Sequence, residues 1–146
     1  MNHLDFKITD SEWEVMRVVW ANEKITSKEI IDVLQQKMDW GTATIKTFIG
    51  RLVKKGMIET EKHGNKFIYS PKITERDFIA STLEDTFNNI CNRDVGNTIV
   101  GLIEKSILSI DDIKNIEKVL EMKKEHAVDE VPCNCSPGQC HCQIAS

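Results

Sequence analysis

Four cysteines fall within ten residues near the end of the chain, Cys133, Cys135, Cys140 and Cys142, in the spacing C-x-C-x4-C-x-C. In extended backbone, residues two apart point to the same side, so each C-x-C offers two thiolates to one metal region. Between the pairs lies Pro137-Gly138, a turn dipeptide suited to folding one pair toward the other. Four thiolates suit tetrahedral zinc. As soft ligands they also select copper(I). Disulfide pairing is the competing use, and it is disfavoured where thiols are kept reduced. Structural zinc knuckles usually use wider C-x2–4-C pairs. His141 reads as a bystander, because the flanking Cys140 and Cys142 point elsewhere. Cys91, near a predicted helix end, reads as buried rather than metal-binding.

A second chemistry is written in charge. The chain carries a net −4, which argues against indiscriminate nucleic-acid binding. Residues 44–72, however, hold seven basic residues (Lys46, Arg51, Lys54, Lys55, Lys62, Lys66, Lys72) against Glu59 and Glu61. The segments on either side are both net acidic. A basic island in an acidic chain is a local footprint for a polyanion.

Both features need positioning. Thr9-Asp10-Ser11-Glu12 fits a capping box, and Trp13, Met16, Val19 and Trp20 follow at helical spacing. Thr26-Ser27-Lys28-Glu29 repeats the cap ahead of Ile30, Ile31 and Leu34. A third helix opens at Gly41-Thr42, with Thr42 expected as its N-cap. Its inward positions are Ile45, Phe48, Ile49, Leu52 and Val53, and Gly56 ends it. Ile58–Lys62 and Lys66–Ser70 read as a hairpin turned at Gly64-Asn65, with Pro71 as its stop. Three short helices and a hairpin describe a winged helix-turn-helix.

The expected fold is therefore mainly α with a small β-hairpin. Residues 1–72 form a winged-helix DNA-binding domain and residues 73–125 a helical dimerisation region. Residues 126–146 form a linker and a cysteine-rich metal-binding tail. The second-half helices carry stripes (Phe78, Ile79, Leu83, Phe87 and Ile90; Ile99, Leu102 and Ile103; Ile113, Ile116, Val119 and Leu120) too small to enclose a core alone, so a homodimer is expected.

In a helix-turn-helix the second helix enters the major groove. Thr42, Thr44, Lys46, Thr47, Arg51 and Lys54 then face DNA. The threonines allow close approach to bases, Lys46 reaches guanine or phosphate, and Arg51 and Lys54 grip phosphates. Lys62 and Lys66, with His63, lie at the hairpin tip, where a wing meets the flanking backbone.

The run Thr9-Asp10-Ser11-Glu12-Trp13-Glu14-Val15-Met16, with Trp20, Thr44-Ile45-Lys46-Thr47, Arg51-Leu52-Val53-Lys54-Lys55-Gly56 and Tyr69-Ser70-Pro71, closely resembles the BlaI/MecI repressor family over about residues 8–80. The resemblance implies a winged-helix dimer on a dyad operator of the TACA…TGTA kind. One departure is Gly41-Thr42-Ala43-Thr44, where the penicillinase branch often has Ser-Pro-Lys-Thr. Such a head joined to a C-x-C-x4-C-x-C tail resembles the copper-responsive repressors of the CopY type. That implies control of copper-efflux genes, a zinc form that holds double-stranded operator DNA, release when Cu(I) displaces zinc, and a copper chaperone as the source of Cu(I).

Two other readings stand beside this one. An antibiotic-responsive repressor inactivated by proteolysis leaves the thiolate tail without a purpose. A metal-buffering protein leaves the basic helix and wing without one. No nucleophile–base pattern or glycine-rich phosphate loop marks an enzyme. Met1–Thr9 lacks the apolar stretch of a secretory signal, and no apolar run approaches the ~20 residues that span a bilayer. A cytoplasmic protein with no membrane partner is expected.

Overall fold

The computed structural model describes residues 7–142. They fall into two compact units that divide between Thr82 and Leu83.

The first unit begins with α1 (Asp10–Asn22), β1 (Ile25–Thr26) and α2 (Ser27–Leu34). It continues with α3 (Thr42–Lys54), β2 (Ile58–His63) and β3 (Lys66–Pro71), and contains most of α4 (Glu75–Phe87). Reciprocal capping boxes start α1 and α2, at Thr9/Glu12 and Thr26/Glu29, as their sequences require. The start of α3 departs from expectation. Its N-cap is Gly41, with no side-chain hydrogen bond, and Thr42 is the first helical residue. The helix ends where Gly56 takes φ +81°. There the Gly56 N–H donates to Val53 O (3.1 Å) and the Met57 N–H to Leu52 O (3.0 Å). This pair of bonds satisfies the orphan carbonyls of the last turn and needs the left-handed conformation that glycine supplies.

The sheet has three strands in the order β1-β3-β2. β2 and β3 pair antiparallel from Ile58↔Pro71 to His63↔Lys66, so Pro71 is the last strand residue rather than a stop before it. The hairpin tip is Gly64-Asn65, with Gly64 at φ +64°, as a two-residue turn demands. β1 is only two residues long and pairs Ile25↔Tyr69 and Thr26↔Ile68. It anchors the wing to the start of α2, a link invisible to periodicity.

One core joins these elements: Val15, Met16 and Val19 of α1, Ile30, Ile31 and Leu34 of α2, Ile45, Ile49 and Leu52 of α3, then Met57 and Ile58. Val53, grouped with the inward stripe in the sequence, is 37% exposed. At about 100° per residue it lies roughly 70° from the centre of the Ile45–Ile49–Leu52 stripe, so it flanks the stripe. Phe78 of α4 also belongs to this core, with its ring 5.0 Å from Trp13 and 5.6 Å from Trp20. The Trp20 indole N–H donates to Ile73 O (2.9 Å), holding the chain that leaves the wing against α1.

In the second unit, the end of α4 is followed by a 3₁₀ turn (Asn92–Asp94), α5 (Val95–Lys105) and α6 (Ile110–Lys124). A Ser109/Asp112 capping box starts α6. Ile99, Leu102, Ile103, Ile113, Val119 and Leu120 stay exposed on these helices. Among the described residues, no helix is long and apolar enough to cross a membrane.

Candidate nucleic-acid interface and metal centre

α3 presents two opposed faces. Ile45, Ile49 and Leu52 are buried, while Thr42, Thr44, Lys46, Thr47, Arg51 and Lys54 are all exposed. At about 100° per residue, Thr44, Thr47, Arg51 and Lys54 fall within roughly 80° of one another, opposite the buried stripe, and Lys46 lies at its side. Thr47 Oγ1 donates back to Ala43 O (3.0 Å). That bond uses the hydroxyl hydrogen and fixes the rotamer, leaving the oxygen to accept and the methyl to meet an apolar surface. The first turn of α3 contains no acidic residue and no capping side chain. Its first-turn N–H groups are therefore left without a side-chain cap at the positive end of the helix dipole, an arrangement favourable to phosphate. At the wing tip, Lys62 and Lys66 are exposed, and His63 Nε2 lies 3.3 Å from Glu61 Oε1.

Fixing this helix in place is a residue that sequence patterning read only as a cap. Glu12 is fully buried. Its Oε1 accepts from the Thr9 N–H (2.8 Å) and from Lys55 Nζ (2.7 Å), at the C-cap of α3. Burial opposes the Glu12 charge, but Lys55 and Thr9 outweigh it and hold the carboxyl below its ordinary range. Lys55, counted with the basic island, is therefore engaged with α1.

The tail cysteines converge in the second unit. Ser136–Gln139 is a tight turn: the Gln139 N–H donates to Ser136 O (3.0 Å), the Ser136 N–H to Gln139 Oε1 (2.8 Å), and Gly138 has φ +92°. Proline followed by a positive-φ glycine is the usual chemistry of such a turn. It brings Cys133 Sγ to 3.3 Å from Cys140 Sγ. The Cys135 N–H reaches Cys133 Sγ at 3.4 Å. Cys91 is 6% exposed, buried as its sequence context suggested, yet it stands inside this cluster. Its Sγ lies 3.7 Å from both Cys133 Sγ and Cys142 Sγ. The sulfurs of Cys91, Cys133, Cys135 and Cys140 all lie within 4.8 Å of one another. Four sulfurs at about 2.3 Å from a tetrahedral zinc are about 3.8 Å apart, so the cluster fits such an ion. His141 is exposed.

The thiols influence one another's ionisation. A hydrogen bond from the Arg93 backbone N–H lowers the pKa of Cys91, assisted by Cys133 and Cys142. Burial, then hydrogen bonds with Cys140 and Cys91, push the Cys135 thiol upward. Cys142 is pushed up to about 11, chiefly by Cys91 and burial. The protons held here must leave when a metal binds.

The penicillinase repressor profile matches residues 8–122. An uncharacterized 16.5 kDa protein of Latilactobacillus sakei is 42% identical over 137 residues, 94% of each chain. The penicillinase repressor of Bacillus licheniformis is 33% identical over 118 residues, 81% of this chain and 92% of that one. Among solved structures, the DNA-binding domain of the repressor BlaI is 41% identical, covering 49% of this chain and 87% of that one, with a TM-score of 0.46.

Proposed function

The chain belongs to the penicillinase repressor family of DNA-binding transcriptional repressors, and from that premise we propose that it is a cytoplasmic copper sensor controlling copper-efflux genes. The observation that carries the proposal is the sulfur cluster. A repressor responding through a thiolate site needs soft ligands gathered at one point, and the chain has them within 4.8 Å of one another.

In this reading α3 lies in the major groove of a dyad operator. Thr44 and Thr47 meet base edges, and Lys46 reaches a guanine or a phosphate. Arg51 and Lys54, with the first-turn N–H groups, hold phosphates. Lys62 and Lys66 of the wing touch the flanking backbone. A homodimer provides two such readers. Its interface buries the apolar side chains left exposed on α5 and α6, of which Leu102 is 50% exposed in the single chain.

The tail thiolates are where the signal is received. Zinc supplies, when bound, one tetrahedral centre that gathers the cysteines around a point. Four thiolates neutralised by one divalent ion or by two monovalent ions keep the same net charge. Repulsion of phosphate therefore cannot distinguish the zinc form from a copper(I) form. What differs is how the cysteines are drawn together, and only a difference in affinity between the two arrangements can shift the repressor off its operator. A gel shift on a dyad operator tests this, with zinc and then copper(I) titrated in. Retention with zinc and release with copper(I) is the expected result. Binding that ignores both metals overturns it.

A further inference from the structure

The C-x-C-x4-C-x-C spacing points to a site closed within the tail, and the sulfur positions depart from that. We propose that Cys91 is itself a metal ligand. In this assignment the divalent site is Cys91, Cys133, Cys135 and Cys140, with Cys142 the additional thiol beside Cys91. The inference rests on the thiolate-site reading above and changes which residues build the site and what it is tied to.

The first support is distance. The four mutually close sulfurs are those of Cys91, Cys133, Cys135 and Cys140, and Cys142 falls outside that set. The Cys91–Cys133 separation of 3.7 Å matches the edge of a tetrahedral tetrathiolate centre, about 3.8 Å.

A second support is independent of the sulfurs. The short segment carrying Cys91 is docked to the tail by three further contacts. The Asn92 N–H donates to Asn134 Oδ1 (2.8 Å), Arg93 Nε donates to Val131 O (2.8 Å), and Arg93 Nη2 lies 3.5 Å from Glu130 Oε2. They hold the backbone beside Cys133 against the turn between α4 and α5, so Cys91 meets the cluster in a fixed setting.

The consequence concerns regulation. A tail-only site closes a short loop at the chain's end and touches nothing else. A site that includes Cys91 bridges residues 42 apart in sequence, with α5 and α6 between them. Metal then acts as a cross-link around both helices that bear the exposed apolar faces. It removes loop-closure freedom from the chain in the way a disulfide does.

Cobalt(II) on the full-length protein, handled without oxygen, tests the assignment, because the thiolate-to-cobalt charge-transfer absorbance counts sulfur ligands. Wild type and Cys142→Ser should show the four-thiolate intensity, and Cys91→Ser should lose about a quarter of it. Cobalt affinity in Cys91→Ser should fall further than the roughly tenfold to hundredfold that loss of an outer-shell partner costs. Metal should raise the melting temperature of the helical unit in wild type and Cys142→Ser but much less in Cys91→Ser. Full intensity in Cys91→Ser with loss in Cys142→Ser would show that the tail closes its own site. It would overturn the assignment while leaving the thiolate reading standing. A wild-type protein that takes up no cobalt would overturn both. Should Cys91→Ser fold poorly, ¹¹³Cd bound to the wild-type chain answers without mutation. Scalar coupling from cadmium to the Cys91 β-protons is expected, and coupling to Cys142 in its place refutes the proposal.

Discussion

Replacing Lys55 with Met should loosen the DNA-reading head without touching its DNA face. The Glu12 carboxylate is fully buried, and Oε2 has no hydrogen-bond partner among the described residues. Lys55 Nζ, 2.7 Å from Oε1, supplies its only ion pair among the described residues. Removing one member of a fully buried pair costs about 3–5 kcal/mol, because the other charge is left uncompensated. Here the Lys55 side chain is 36% exposed, so water can take part of its place. The expected loss is therefore about 2 kcal/mol, or roughly 8–16 °C in melting temperature for a unit of about 80 residues. Trp13, Trp20 and Trp40 all lie in the first unit, so tryptophan fluorescence during heating reports this head alone. The pH dependence carries a sign. In the wild type the Glu12 pKa is depressed, so its contribution is present above the ordinary carboxylate range and lost as pH falls through the folded value. Without Lys55, its hydrogen bond and charge no longer oppose burial, and the carboxyl pKa moves up from its wild-type value. The variant then recovers relative stability on acidification. Its deficit should be full near about pH 7.5 and shrink as pH falls through the carboxylate range, toward about pH 3.5. Lys54→Met, one residue earlier and exposed, is the control that should melt like wild type. A Lys55→Met protein that melts with this control, or whose deficit is the same at both pH values, would refute the reasoning.

Arg51→Ala and Lys54→Ala should each weaken binding to all DNA sequences alike and flatten the salt dependence by about one unit of slope, measured by fluorescence anisotropy across a salt series. An unchanged slope removes the phosphate assignment. Leu102→Asp places a charge on the exposed apolar face of α5 and should give a monomer on size-exclusion chromatography, since burying an unpaired carboxylate costs several kcal/mol. A dimer that persists puts the interface elsewhere. Changing Cys133, Cys135, Cys140 and Cys142 together to Ser should yield a repressor whose operator gel shift no longer responds to copper(I). Continued release by copper places the sensor outside the tail.

Much of this fold is local and so was legible in the sequence. The capping boxes at Thr9, Thr26 and Ser109 use groups three residues apart. The buried stripe of α3 follows from its 3.6-residue period, and the Gly64-Asn65 turn fixes the hairpin register. Each needs only near neighbours in the chain, and pattern reading captures those. Where the pattern was marginal it misplaced residues: Gly41 caps α3 in place of Thr42, and Val53 flanks the core.

What tertiary structure decided are the pairings between distant residues. Glu12 is 43 residues from Lys55, and nothing in either local sequence marks them as partners. Phe78 fits an amphipathic stripe of α4, yet it fills the gap between Trp13 and Trp20. Cys91 carries no motif. A lone thiol at a helix end resembles a small apolar residue until folding places it 3.7 Å from sulfurs 42 and 51 positions away. The types and spacing of Cys133, Cys135, Cys140 and Cys142 determine that soft-metal chemistry is available at the tail. Which sulfurs share one centre depends on distances closed where Asn92 and Arg93 dock on the tail, because a ligand set is a property of positions in space.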